Sequence, residues 1–121
     1  MNRPVHFEFH SANPEATTAF FKKAFDWEIN PWQGPAEYWL AMTGDSPGGI
    51  NGGIMRSRDG QQRTVNTLGV KDVDEACAAV VAAGGSVCVP KMPIPGVGWL
   101  AYCTDPAGVL FGVSHSDPSA R

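Results

Sequence analysis

Two stretches of this chain follow one plan. From Val5 to Phe25 the sequence runs an alternating strand, a loop at Asn13-Pro14-Glu15 and a helix with an aromatic face, and it stops at Asp26-Trp27. From Val65 to Gly85 it runs a short strand, a loop at Lys71-Asp72-Val73-Asp74-Glu75 and an Ala/Val helix, and it stops at Gly84-Gly85. The two passes lie roughly 58–60 residues apart, about half the chain, which marks a duplicated unit. A unit that cannot bury its apolar face alone gains a core from its copy, and the cleft between two such sheets is where a ligand is expected.

The 121 residues suffice for one domain with a real core, and 43% hydrophobic with 17% charged residues is the balance of a globular protein. The formal net charge is -3, and no basic run is longer than Lys22-Lys23, so nucleic acid and anionic membrane are poor partners. No apolar run approaches the roughly 20 residues of a membrane span. Met1-Asn2-Arg3-Pro4 leads straight into a strand and does not read as a signal peptide. Cys77, Cys88 and Cys103 are odd in number and lack metal-knot spacing, the usage of reduced thiols in a cytoplasm.

Strict alternation over Val5–His10 predicts a strand with Val5, Phe7 and Phe9 on one face and His6, Glu8 and His10 on the other. Asn13 caps the next helix with Pro14 at its first position. Ala16, Phe20 and Ala24, with Phe21 and Phe25, are expected to pack on Phe7 and Phe9. Strands are predicted at Trp27–Trp32, Ala36–Thr43 and Gly49–Met55, and Ser57–Arg63 reads as a polar linker. The second half repeats this with a strand at Thr64–Val70, a helix through Glu75–Ala83 and strands at Ser86–Val89, Val97–Cys103 and Val109–Ser114. Lys91–Gly98 reads as a Pro/Gly-rich surface loop, Asp105-Pro106-Ala107-Gly108 as a tight turn, and the tail after Ser114 as frayed. The expected fold is α+β: two tandem βαβββ modules, at about residues 4–56 and 64–115, forming a curved mixed sheet cleft.

His6, Glu8 and His10 are the best chemical lead. Neighbours two apart on a strand lie roughly 7 Å apart at Cα, so His6 and Glu8 can share a small ion with help from another strand, such as Asn51. Equally, Glu8 beside a histidine can serve as a general base toward a proton next to a carbonyl. The plain alternative is a histidine that only hydrogen-bonds Glu8. Trp39, Trp99, Tyr38 and Tyr102 read either as the wall of an apolar pocket or as core, and Met55 as an adaptable pocket filler. The candidate ligand-binding set is thus His6, His10, Asn51, Met55 and Trp99, with Glu8 as candidate catalytic group. Gly48, Gly49, Gly52 and Gly53 lack the Lys-Ser/Thr of a phosphate loop and mark a strand that something approaches closely.

The chain resembles the vicinal oxygen chelate superfamily, which includes glyoxalase I, bleomycin-resistance proteins and extradiol dioxygenases. The resemblance rests on Val5-His6-Phe7-Glu8-Phe9 with Phe20-Phe21, Phe25 and Trp27 in the first half. In the second it rests on Val70, Asp72-Val73, Glu75-Ala76, Gly84-Gly85, Gly96, Gly98, Asp105-Pro106 and Gly108. It implies the paired-module fold, a homodimer and, in metal-dependent members, four ligands for a divalent metal, on the first and last strands of each module. Carried over, those positions fall on His6, on Gly53 (or Asn51), on Thr64 (or Val65, one residue on) and on Gly112. Only His6 is a good ligand, and zinc, nickel or iron need about three N/O donors at roughly 2 Å. His10 stands where glyoxalase I carries an arginine for its thiol cofactor, which argues against glutathione. The resulting expectation is a cytoplasmic homodimer that binds a small, partly apolar molecule without a full metal site. The alternatives are a metal-dependent lyase, isomerase or dioxygenase built on His6 and Glu8, and an antibiotic-sequestering protein.

Overall fold

A computed structural model describes all residues, 1–121, as eight strands and two helices in the predicted order. They are β1 (Arg3–Ser11), α1 (Pro14–Phe25), β2 (Glu28–Pro31), β3 (Trp39–Met42), β4 (Gly52–Arg56), β5 (Arg63–Gly69), α2 (Val73–Ala82), β6 (Ser86–Ile94), β7 (Gly98–Thr104) and β8 (Leu110–Ser116). By contact density the chain forms two compact units, residues 6–65 and residues 1–5 with 66–121. The fold is α+β, with βαβββ order in each half.

In the unit of residues 6–65 the strand order is β2-β3-β4-β1, with β1 parallel to β4 and the others antiparallel. Asn13 caps α1 by accepting from the Ala16 N–H, and Asp26 ends it in the left-handed region at φ 59, where Asp is tolerated. Ile29, Ala41 and Ile54 form the core, with Phe7, Phe9, Phe21, Trp27 and Trp39 packed against it. The Phe21 and Trp27 rings stack 4.7 Å apart. The inward face of α1 differs from the expected stripe. Pro14 and Thr18 are buried, whereas Ala16 and Ala24 face solvent and Phe20 is 58% exposed. The helix is turned so that Phe21, rather than Phe20, reaches Phe9.

The other unit has the order β5-β8-β7-β6, with β5 parallel to β8. Asp72 caps α2, and Val73, Ala101, Cys103 and Val113 form the core beneath it. The Asp105–Gly108 turn forms as expected, with the Asp105 carboxylate accepting from the N–H groups of Ala107 and Val109. Two expectations are overturned. Lys91–Gly98 is not a loop throughout, because β6 continues to Ile94 through two register shifts. It is an edge strand, the place in a sheet where prolines such as Pro90 and Pro93 are tolerated. Nor is the tail frayed: β8 runs to Ser116, Gly96 N–H donates to the Ala120 carbonyl, and Ala120 is buried.

Candidate functional site

β1 supplies the polar face. Its pairing with β4 sets Glu8 opposite Gly53 and His10 opposite Met55, while Phe7 and Phe9 sit opposite Gly52 and Ile54 on the helix side. The polar face is the better buried of the two: Glu8 is 4% and His10 9% exposed, whereas Phe7 and Phe9 are only half-buried. Such burial requires partners, and they are present. His10 Nε2 bonds Glu8 Oε1 at 2.7 Å, and the Tyr38 hydroxyl donates to Glu8 Oε2 at 2.9 Å. His6 Nε2 lies 2.9 Å from the same hydroxyl.

The direction of these bonds follows from chemistry. An ionised Glu8 only accepts, so it takes one proton from His10 and one from Tyr38. With its own proton committed, the phenol oxygen accepts from His6. With Glu8 ionised, both histidines would present Nε2–H, and the four side chains form one chain, His6 to Tyr38 to Glu8, with His10 entering from the far side. Burial holds the His6 imidazole below its ordinary 6.5, and the charge of Glu8 opposes this only in part. Where β1 ends, a recess of about 370 Å³ opens within the same unit, lined by Phe9, His10, Ser11, Thr17, Gln62, Arg63 and Thr64.

Tyr38 is the residue that sequence reasoning misplaced, because it was grouped with the aromatic walls. The available signal was the glycine at 53: a β-carbon there would fall on the Tyr38 phenol, the close approach that the glycine run announced. Trp39 packs in the core on the helix side. Trp99 lies on the helix-facing side of β7 against the Val73 cluster, and its indole N–H donates to Asp117 at 2.9 Å, so it is core rather than pocket wall. His115 is not solvated as the tail expectation implied, because its Nδ1 accepts from the Val73 N–H at the start of α2.

The side chains present do not fit a divalent metal. Asn51 is not aimed at the cluster: its carbonyl accepts from the Thr43 N–H at 2.8 Å and closes the β3–β4 connection. Gly53 and Gly112 carry no donor side chain. Along β5, Thr64 alternates with the buried Val65 and Thr67 and so projects from the opposite face. The matching place on the face of Thr67 is Val65, which cannot ligate. No three His, Cys, Asp or Glu side chains are grouped to hold a metal ion.

A family model described as "Glyoxalase-like domain" matches residues 6–114. The chain belongs to that family and is a small member of the vicinal oxygen chelate superfamily. Solved structures share the fold at low identity. A methylmalonyl-CoA epimerase in complex with methylmalonyl-CoA and NH4+ is 16% identical at TM-score 0.72, covering 99% of this chain and 98% of that one. Methylmalonyl-CoA epimerase from Mycobacterium tuberculosis is 14% identical at TM-score 0.69, covering 96% and 89%. A hypothetical protein from Bacillus halodurans C-125 is 14% identical at TM-score 0.70, covering 99% and 98%. No curated protein matches the sequence. No helix is long and apolar enough to cross a membrane.

Proposed function

We propose that this chain binds a small, partly apolar molecule at the polar face of β1, without a resident metal, and that it does so as a cytoplasmic homodimer. The observation that carries the reading is the buried Glu8 side chain, held by His10 and Tyr38 on the face of β1 that lies opposite Phe7 and Phe9. A buried carboxylate is costly to keep, and one oriented by two donors is suited to meeting a ligand's polar group or acidic proton. Met55, paired with His10 on that face, supplies an apolar contact. In this reading Glu8 accepts a proton from a bound carbonyl compound, while His10 and Tyr38 hold its two oxygens in place.

The test is a thermal-shift screen of the metal-free protein against small carboxylates, ketones and acyl thioesters. Acyl thioesters belong in the panel because two of the structural neighbours above carry the name methylmalonyl-CoA epimerase. A binder raises the melting temperature with concentration. The shift is expected to vanish in Glu8→Gln and to survive in Trp99→Phe. Deuterium uptake next to the ligand's carbonyl then separates catalysis from simple binding. A panel that binds equally well to wild type and Glu8→Gln would defeat the placement of the site. Light scattering tests the dimer.

A further inference from the structure

The apolar stripe of α1 faces away from its own sheet. Ala16, Phe20 and Ala24 recur every four residues, so they share one side of the helix, and all three are exposed. Phe20 is 58% exposed, and Phe25, one residue beyond the stripe, is 60% exposed. Neither ring is loose. Phe20 stands edge-on to Phe21 at 5.1 Å and to Phe25 at 6.3 Å, and Phe21 stacks on Trp27 against the core. Aromatic surface held from beneath in this way has little freedom left to lose when a partner covers it.

The stripe is its own complement. An antiparallel copy centred on Phe20 sets Ala16 opposite Ala24 and Ala24 opposite Ala16, with the two Phe20 rings meeting at the two-fold axis. Alanines on both sides of that ring let the helix axes approach to about 8 Å. The same pairing lays the first turn of each helix, with Glu15, beside the last turn of the other, with Lys22 and Lys23, and it opposes the two helix dipoles. A parallel pairing would set like charge beside like. We infer that the outward face of α1 is where two copies of this chain meet, antiparallel, across an axis at Phe20. The inference deepens the homodimer reading above and rests on it. α1 has 12 residues and is about 18 Å long. Two such faces fall short of the roughly 1,200 Å² that a standard interface buries, so the dimer is expected to dissociate in the micromolar range.

Sedimentation equilibrium of the full chain across the micromolar range tests this with four proteins: wild type, Phe20→Glu, Ala16→Glu, and Ala16→Glu with Ala24→Lys. Wild type is expected to pass from monomer to dimer and no further. Phe20→Glu and Ala16→Glu are each expected to weaken the dimer at least about tenfold. The double variant is expected to regain most of that loss, because the antiparallel register sets each introduced acid opposite an introduced base. Should Phe20→Glu fail to fold by circular dichroism, Ala16→Glu carries the test, since that side chain faces solvent. A wild-type dimer that neither single variant weakens overturns α1 as the contact and leaves the homodimer reading standing. Loss in Ala16→Glu with no recovery in the double variant overturns the antiparallel register. A wild type that stays monomeric throughout overturns both the inference and the homodimer reading, and leaves this face to an unlike partner.

Discussion

Replacing Gly53 by alanine tests the packing of the site directly. The new β-carbon falls on the Tyr38 phenol, and the backbone angles at Gly53 are open to any residue, so the penalty is steric. The clashing atoms lie at the far end of a side chain, so the ring rather than the strand should yield. Its displacement breaks the bonds to Glu8 and His6, both 2.9 Å long. A hydrogen bond to a charged group contributes about 1.5–3 kcal/mol, and forcing a methyl into packed space costs about 1–3 kcal/mol. Alanine also stiffens the unfolded chain, which returns about 0.4–1 kcal/mol. The expected net loss is therefore roughly 1.5–5.5 kcal/mol in urea unfolding. Gly49→Ala is the control, because its nearest neighbour would be the Thr43 hydroxyl at 3.9 Å, and it should be neutral or slightly stabilising. In a Tyr38→Ala background the penalty of Gly53→Ala should disappear. An equal loss in both backgrounds would refute the contact between Tyr38 and Gly53 as its cause.

Other outcomes follow from single groups. Thr18 is buried in α1 with no partner for its hydroxyl, so Thr18→Val should stabilise the chain by about 1 kcal/mol; a loss of stability by chemical denaturation would contradict this. The Cys103 thiol is buried, and desolvation, with Cys77 beside it, pushes it up to about 11, whereas Cys88 is exposed. Timed alkylation read by mass spectrometry should therefore label Cys88 first and leave Cys103 for last. The hydroxyl of Ser119, and after it the Trp99 indole, hold the Asp117 carboxyl at about 2, below its ordinary 3.8. The unfolded chain binds that proton more readily, so the contribution of Asp117 is present above 3.8 and is lost as pH falls through about 2. Acid unfolding of Asp117→Asn should lack this part of the pH dependence, and an unchanged profile would remove the tail contact from the account.

What the sequence made legible was local. The β1 alternation, the Asn13 cap, the helix stop at Asp26 and the Asp105 turn each depend on a few adjacent residues, and each is present in the fold. The failures share a different origin. The rotation of α1 about its axis depends on which aromatic meets Trp27, which periodicity alone does not settle when Phe20, Phe21 and Phe25 compete. Pro93 and Pro95 within Lys91–Gly98 argued for a loop, but an edge strand tolerates Pro93, and edge position is a property of the whole sheet. The docked tail depends on Gly96, Val97 and Trp99, about twenty residues back along the chain. Tyr38 reaches Glu8 from thirty residues away in sequence. Its glycine counterpart was visible, but nothing in the sequence said which side chain would fill the gap.

The duplication supplies an internal control for the polar cluster. Both halves keep the same parallel register, with Glu8 opposite Gly53 in one and Thr67 opposite Gly112 in the other. Both fill the space over the glycine from within: Tyr38 does so in the first half, and Thr67 and Leu100 lie 3.0 and 3.4 Å from where a β-carbon of Gly112 would stand. The backbone arrangement therefore asks for a glycine and a filler, and an uncharged filler serves. Where the first half has His6 and Glu8, the second has Val65 and Thr67, and its strands form the same order without a buried carboxylate or an imidazole. A buried charge with its retinue of donors is more demanding than the apolar solution a few dozen residues along the same chain. The second half reaches the same strand order with Val65 and Thr67, so the fold alone does not call for the cluster of His6, Tyr38, Glu8 and His10.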